Sequence, residues 1–350
     1  MYKYTHGGDI YSCDNTKLLD FSANINPLGL PKSVKEAIVE NAENCDIYPD
    51  PLCRKLRRAI SHLEEIPAEN IYCGNGAADI LFRLAISLKP EKALLAVPSF
   101  SEYEEALKSV GCKIEYHYMK NEDNFFLTEG FLGQISPDID IVFLCNPNNP
   151  TGHLIEKGLL KRIIDKCYQV NTIVVIDECF IDFLPNSYEH TAKNGIFKYD
   201  NLIVLKAFTK MYAMAGVRLG YCLCNNADIL DSLYRNGQPW NVSTIAQKAG
   251  IAATKEKDYV RNSIEIIEQQ RQRLQQSLTN MGCQTYDSKA NFIFFRYNSE
   301  HNLKEELLKN HILIRSCENY QRLNKEYYRI AVRMPTENDV IINSLKELRR

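Results

Sequence analysis

Short apolar runs rich in β-branched residues recur along the first two-thirds of the chain, each closed by a polar or glycine-rich turn. They cover residues 70–73, 93–97, 139–145, 172–176, 201–205 and 220–224. Amphipathic stretches lie between several of them, at residues 77–88, 101–110 and 156–170. Strands alternating with helices predict an α/β fold, a mainly parallel central sheet wrapped by helices. Ligands of such sheets bind beyond the carboxyl ends of the strands, so the polar residues closing each run come first in a search for chemistry.

The pattern changes near residue 245. Residues 247–282 read as one long, charge-rich helix with almost no Gly or Pro, followed by strand-like runs at 290–297 and 327–332 and a final helix. The expected organisation is an irregular arm over residues 1–30 packing with the small domain, a large domain over 31–245 and a small α/β domain over 246–350.

Charge and cysteine content narrow the classes. The 42 Lys and Arg against 44 Asp and Glu leave a formal charge of −2, without the basic excess of a nucleic-acid or anionic-membrane binder. Twelve cysteines include no C-x-x-C pair, and the tightest spacing, Cys222-Leu-Cys224, lies in a strand-like run. Free thiols of that kind suit a reducing compartment and predict neither a disulfide framework nor a metal site. The opening Met-Tyr-Lys-Tyr-Thr-His has no apolar signal core and no apolar run approaches 18 residues, so the expectation is a cytoplasmic, soluble protein.

Four polar motifs close successive runs. They are Gly74-Asn75-Gly76-Ala77-Ala78-Asp79, Asn146-Pro147-Asn148-Asn149-Pro150-Thr151-Gly152, Asp177-Glu178-Cys179-Phe180, and Ala207-Phe208-Thr209-Lys210 with Arg218 eight residues on. Each has a bland reading as turn, cap or solvated charge. Together they supply what pyridoxal phosphate chemistry needs. A lysine forms a Schiff base with the aldehyde, and a carboxylate keeps the pyridine nitrogen protonated. A glycine turn entering a helix offers N–H groups to the phosphate, to which an arginine adds a bidentate cation.

The chain therefore resembles fold-type I pyridoxal-phosphate enzymes of the class I/II aminotransferase superfamily over essentially its whole length. The resemblance implies Lys210 as the Schiff-base lysine, Asp177 on the pyridine nitrogen, Asn149 on the ring hydroxyl, and Gly76, Ala77, Thr209 and Arg218 on the phosphate. It also implies Phe100 stacked on the ring, and Tyr48 reaching the partner's cofactor phosphate in a homodimer with shared sites. Two positions depart from the superfamily pattern: Ala207 where Ser or Thr is common, and Phe180 where many members carry Tyr, which removes one donor to the ring hydroxyl.

Three further segments point to a subfamily: His6-Gly7-Gly8 with Asn24-Ile25-Asn26-Pro27, Gln238-Pro239-Trp240-Asn241, and Arg315 through Tyr320 followed by Tyr327 through Arg333. This set is similar to threonine-phosphate decarboxylases of cobalamin biosynthesis, more than to their sister family, the histidinol-phosphate aminotransferases. That likeness implies Arg329 on the substrate carboxylate, with Arg333, Arg315, His6 and Asn24 toward the substrate phosphate. Period two in the last strand places Arg329 and Arg333 on one face, as a substrate with two anionic groups requires. Arg322 stands where the decarboxylases often have Gly, which leaves phosphothreonine against phosphoserine open. The expected reaction is decarboxylation of L-threonine O-3-phosphate to (R)-1-aminopropan-2-yl phosphate. Transamination of histidinol phosphate is the alternative, and a non-catalytic regulator or a nucleotide-binding protein is the reading from another class.

Overall fold

A computed structural model describes residues 6–12 and 18–348. Its first strand, β1 (Leu19–Asp20), pairs in parallel with β11 (Ile312–Leu313), so the chain's start lies against its last third. The central sheet follows, from β2 (Ile71–Gly74), β3 (Lys92–Val97), β4 (Lys113–Tyr118), β5 (Ile141–Cys145), β6 (Ile173–Asp177), β7 (Leu202–Ala207) and β8 (Gly220–Leu223). Their spatial order is β2-β8-β7-β6-β5-β3-β4, with β8 antiparallel to both neighbours and every other pair parallel. A second, antiparallel sheet has the order β12-β13-β10-β9 and consists of β9 (Gln284–Thr285), β10 (Phe292–Arg296), β12 (Arg315–Ser316) and β13 (Tyr327–Ala331).

Alternation along the central strands divides two cores. Leu95, Phe143, Val175, Ile203 and Cys222 face the helices Ala77–Leu88, Glu102–Lys108 and Ala227–Arg235, which return Ile80, Leu84, Tyr103 and Leu233. Leu94, Val142, Val174, Leu202 and Tyr221 face the other side, with Leu159 and Ile163 of the helix Lys157–Gln169. A sheet covered on both faces needs near-continuous apolar strands, which is why those strands were readable.

Three expectations are corrected. The strand β4 was not anticipated: it is the sheet's edge, and Lys113, Glu115 and His117 break its apolar run. The long helix is two, Thr244–Ala253 and Lys257–Asn280. Gly250 pins the first of them, since a Cβ there would come within 2.4 Å of Leu219 and 2.8 Å of Leu56. Ser243 caps its start, accepting from Ala246 N–H at 3.1 Å. Finally, the last strand ends at Ala331, so strand periodicity does not extend to Arg333.

Candidate active site

The ends of β5, β6 and β7 and the start of the helix Ala77–Leu88 enclose a cavity of about 150 Å³. Ala77, Phe100, Asn149, Asp177, Phe180, Thr209, Lys210 and Arg218 all line it, as do Cys145 and Cys179. Distant sequence positions thus converge where an open α/β sheet presents its ligands.

The glycine turn shows why no side chain is tolerated at its apex. Gly76 has φ +85°, and a Cβ would lie 2.7 Å from Arg218 Nη2. Opposite it, a Cβ on Gly220 would lie 2.6 Å from the Ala77 nitrogen. The helix that starts at Ala77 has no side-chain cap, so the orphan N–H groups of its first turn and the Arg218 guanidinium form one cradle for an anion.

Asp177 is buried at the carboxyl end of β6. Tyr103 Oη donates to its Oδ2 at 2.6 Å and the Cys179 N–H to its Oδ1 at 2.9 Å. Burial and the neighbouring carboxylate hold the Tyr103 hydroxyl well above its ordinary range, so it stays a donor. Cys179, whose thiol burial likewise pushes up, supplies a backbone N–H here rather than a nucleophile.

Lys210 Nζ lies 5.7 Å from the centroid of the Phe180 ring. Desolvation in the cavity, then the charges of Arg329 and Arg218, pull its amine down to about 8, against the opposing pull of Cys179 and Asp177. Among the described residues no carboxylate forms an ion pair with it, and an amine that releases its proton near pH 8 can serve as a nucleophile and a proton carrier.

Asn149 connects this cavity to the second sheet. Its Oδ1 accepts from Arg329 Nη1, and Tyr320 Oη lies 3.5 Å away. The other nitrogen of the fork, Arg329 Nη2, donates to the Ser22 carbonyl at 2.8 Å, while Nε is buried without a partner. Burial lowers the Arg329 guanidinium from its ordinary value. Arg315 is the cross-strand neighbour of Arg329, so the two guanidiniums leave adjacent strands on the same face. Arg315 is held by Asn319 Oδ1 at 2.6 Å and lies over the Tyr320 ring at 5.3 Å.

The remaining expected residues divide. His6 Nε2 is 2.8 Å from Glu102 Oε1 and its ring 6.2 Å from that of Phe100, which places His6 beside the cavity. Asn24 is buried with Oδ1 unpartnered, two residues beyond the carbonyl that Arg329 grips. Arg333 instead binds Glu337 at 2.6 Å, at the start of the final helix, so the paired cations are Arg315 and Arg329 rather than Arg329 and Arg333. Tyr48 does not line this cavity: it is 75% exposed and stacks on Trp240 at 4.5 Å. Tyr103 and Tyr320 were not read as site residues. Tyr103, on the helix Glu102–Lys108, meets the Phe100 ring edge-on at 5.6 Å.

The model for the family described as aminotransferase class I and II matches residues 16–345, and the chain belongs to that family, whose cofactor is pyridoxal 5'-phosphate. Threonine-phosphate decarboxylase of Salmonella typhimurium is 36% identical over 99% of this chain and 97% of its own length. Histidinol-phosphate aminotransferase of Methanococcoides burtonii is 29% identical over 99% of this chain and 96% of its own. The structure of a histidinol-phosphate aminotransferase from Clostridium acetobutylicum superposes with a TM-score of 0.89 at 33% identity, covering 95% of this chain and 99% of that one. The cavity suits the cofactor on its own terms. The anion cradle, the buried carboxylate, the unpaired amine and the unpartnered Arg329 Nε are groups that await a ligand. Among the described residues no helix is long and apolar enough to cross a membrane.

Proposed function

We propose that this protein decarboxylates an O-phosphorylated amino acid, L-threonine O-3-phosphate, yielding (R)-1-aminopropan-2-yl phosphate. The observation that carries the reading is the cross-strand pair Arg315 and Arg329 beside the cavity lined by Lys210, which forms no ion pair with a carboxylate among the described residues. Two guanidiniums on one face suit two anions on one substrate, a carboxylate and a phosphate. The 36% identity to the Salmonella enzyme supports the same substrate.

The cofactor, when bound, supplies an electron sink for the bond broken at the substrate's α-carbon. The Ala77 end of its helix, with Gly76, Thr209 and Arg218, would hold the cofactor phosphate. Asp177, fixed by Tyr103 and Cys179, would hold the proton on the pyridine nitrogen. Asn149 would donate from Nδ2 to the ring oxygen, because its Oδ1 is occupied by Arg329. The Phe100 ring would cover one face of the cofactor. Lys210 Nζ would bind the cofactor's aldehyde and would be placed to return a proton to the substrate's α-carbon. Arg329 fixes the substrate carboxylate, and Arg315, with His6 and Asn24, receives its phosphate. By holding the two anionic groups, Arg329 and Arg315 would fix the orientation of the substrate's α-carbon, and with it which bond at that carbon is broken. Tyr48, exposed on its Trp240 platform, would complete the phosphate site of a second copy in a homodimer.

The experiment supplies O-phospho-L-threonine to the cofactor-loaded protein without a keto acid and measures carbon dioxide and amine product. Catalytic release is expected, with Arg315→Ala raising KM at least about tenfold, the loss of one charged hydrogen-bonding partner, and Arg333→Ala leaving it unchanged. A second reading, transamination of histidinol phosphate, is favoured by the 33% identical Clostridium structure. No carbon dioxide, with amino transfer from histidinol phosphate to 2-oxoglutarate, would establish that reading instead.

A further inference from the structure

The loop joining β12 to β13, residues 317–326, borders the cavity and is tied to the central-sheet half of the molecule at two points. The inner tie is Tyr320, 8% exposed, with its hydroxyl 3.5 Å from Asn149 Oδ1 and its ring beneath the Arg315 guanidinium. The outer tie is Arg322, whose guanidinium carbon stands 4.5 Å from the centroid of the Tyr118 ring. Tyr118 is the last residue of β4, the edge of the central sheet, and its side chain is partly exposed. Leu323, directly after Arg322, is buried, and its N–H is bonded to the Tyr320 carbonyl at 3.1 Å. That bond closes a turn containing Arg322, so movement of Arg322 is passed to Tyr320 two positions earlier.

We propose that Arg322 and Tyr118 latch the 317–326 loop over the active site, holding Tyr320 there as a positioning residue for Asn149. Two features support this. Arg322 has φ +65°, the left-handed region that a residue with a Cβ seldom occupies. A planar cation resting on an aromatic face is a contact that compensates such a position, and glycine, which tolerates the backbone, would lack it. The second feature is the orientation of the Asn149 amide. Its Oδ1 is turned toward two donors, Arg329 and Tyr320, leaving Nδ2 as the group free to donate into the cavity it lines. A reversed amide would set its N–H groups against the Arg329 guanidinium, which has no acceptor. Phe180 cannot donate to a ring oxygen, so on this side a bond from Asn149 would carry that task. The loop's consequence for catalysis rests on the function proposed above. The latch itself does not.

The test is amide hydrogen exchange over residues 317–326 in the cofactor-free protein, comparing wild type with Arg322→Gln, Tyr118→Ala, Tyr118→Phe and the double variant Arg322→Gln/Tyr118→Ala. A partly exposed cation–π contact predicts exchange roughly two- to fivefold faster in Arg322→Gln and Tyr118→Ala. The double variant should exchange no faster than either single one, because each removes the same contact. Tyr118→Phe keeps the aromatic face and should exchange at the wild-type rate. In the loaded enzyme, KM for O-phospho-L-threonine should rise by the same factor in Arg322→Gln with kcat retained. Unchanged exchange in both single variants, or additive effects in the double, would overturn the latch. If the loaded wild type did not turn over that compound, the exchange comparison would still decide the latch, so the two failures can be told apart.

Discussion

Lys206 in β7 and Lys210 in the helical turn Phe208–Met211 that follows it each line a cavity, yet the two surroundings have opposite consequences. The Lys206 cavity is the larger, about 320 Å³ against about 150 Å³. Its floor is a closed charge network. Lys206 Nζ is 2.7 Å from Glu64 and 2.9 Å from Asp182, Lys193 is 3.0 Å from Glu64, and the Tyr221 hydroxyl donates to Glu64. Those carboxylates outweigh burial and hold Lys206 well above its ordinary value. The same cations, together with the bonds from Lys206 and Tyr221, outweigh burial at Glu64 and bring its carboxyl down to about 2. Lys210 has no such partner and is pulled the other way, to about 8. Cavity size therefore does not mark the reactive site. A lysine whose charge is balanced is a structural cation, and one whose charge is opposed by two arginines is poised to react.

The sharpest way to break this contrast is to remove each charge while keeping shape. Lys206→Met leaves Glu64 and Asp182 facing each other and should cost about 3–5 kcal/mol of stability, the penalty of breaking a buried ion pair. Lys210→Met removes a cation that folding desolvates without compensation, so the cofactor-free protein should be at least as stable as wild type below pH 8. Denaturant unfolding of both variants checks the pair. Equal losses would show that Lys210 is also a structural cation.

Much of this arrangement was legible in the chain, and the parts that were not share a cause. Thr172 through Asp177 reads as a strand ending in a carboxylate because both faces of β6 are covered and apolar. Residues from all four motifs line one cavity. What failed depends on contacts between elements. The pairing of Arg315 with Arg329 belongs to two strands in register, and period two along one strand pointed to Arg333 instead. The break between the helices Thr244–Ala253 and Lys257–Asn280 falls in a charged stretch with no Gly or Pro to announce it. Tyr320 was quoted in a motif, but its role follows from its approach to Asn149, 171 residues earlier in the chain.

A smaller effect sharpens the contrast by pH. The folded Lys210 amine titrates at about 8, below the ordinary 10.5, so the unfolded chain binds the proton more strongly between those values. Stability of the cofactor-free protein should accordingly rise with pH across that window. Capture of pyridoxal phosphate requires the neutral amine, so its rate should climb roughly tenfold per unit below pH 8 and level off above about pH 9. Stopped-flow absorbance would record the profile. A midpoint near 10.5 would mean that the amine is solvated rather than enclosed. Glu64 gives the opposite sign at acid pH: its folded value lies below the ordinary 4.5, so its contribution is present above 4.5 and is lost as pH falls toward 2.

The most direct test of the central claim is to load the protein with pyridoxal phosphate, reduce it with borohydride, digest it and map the modified lysine by mass spectrometry. One phosphopyridoxyl group per chain on Lys210, with Lys206 and Lys193 unmodified, is the predicted result. Labelling of Lys206 in the larger cavity, or labelling spread over surface lysines with Lys210 untouched, would contradict the account.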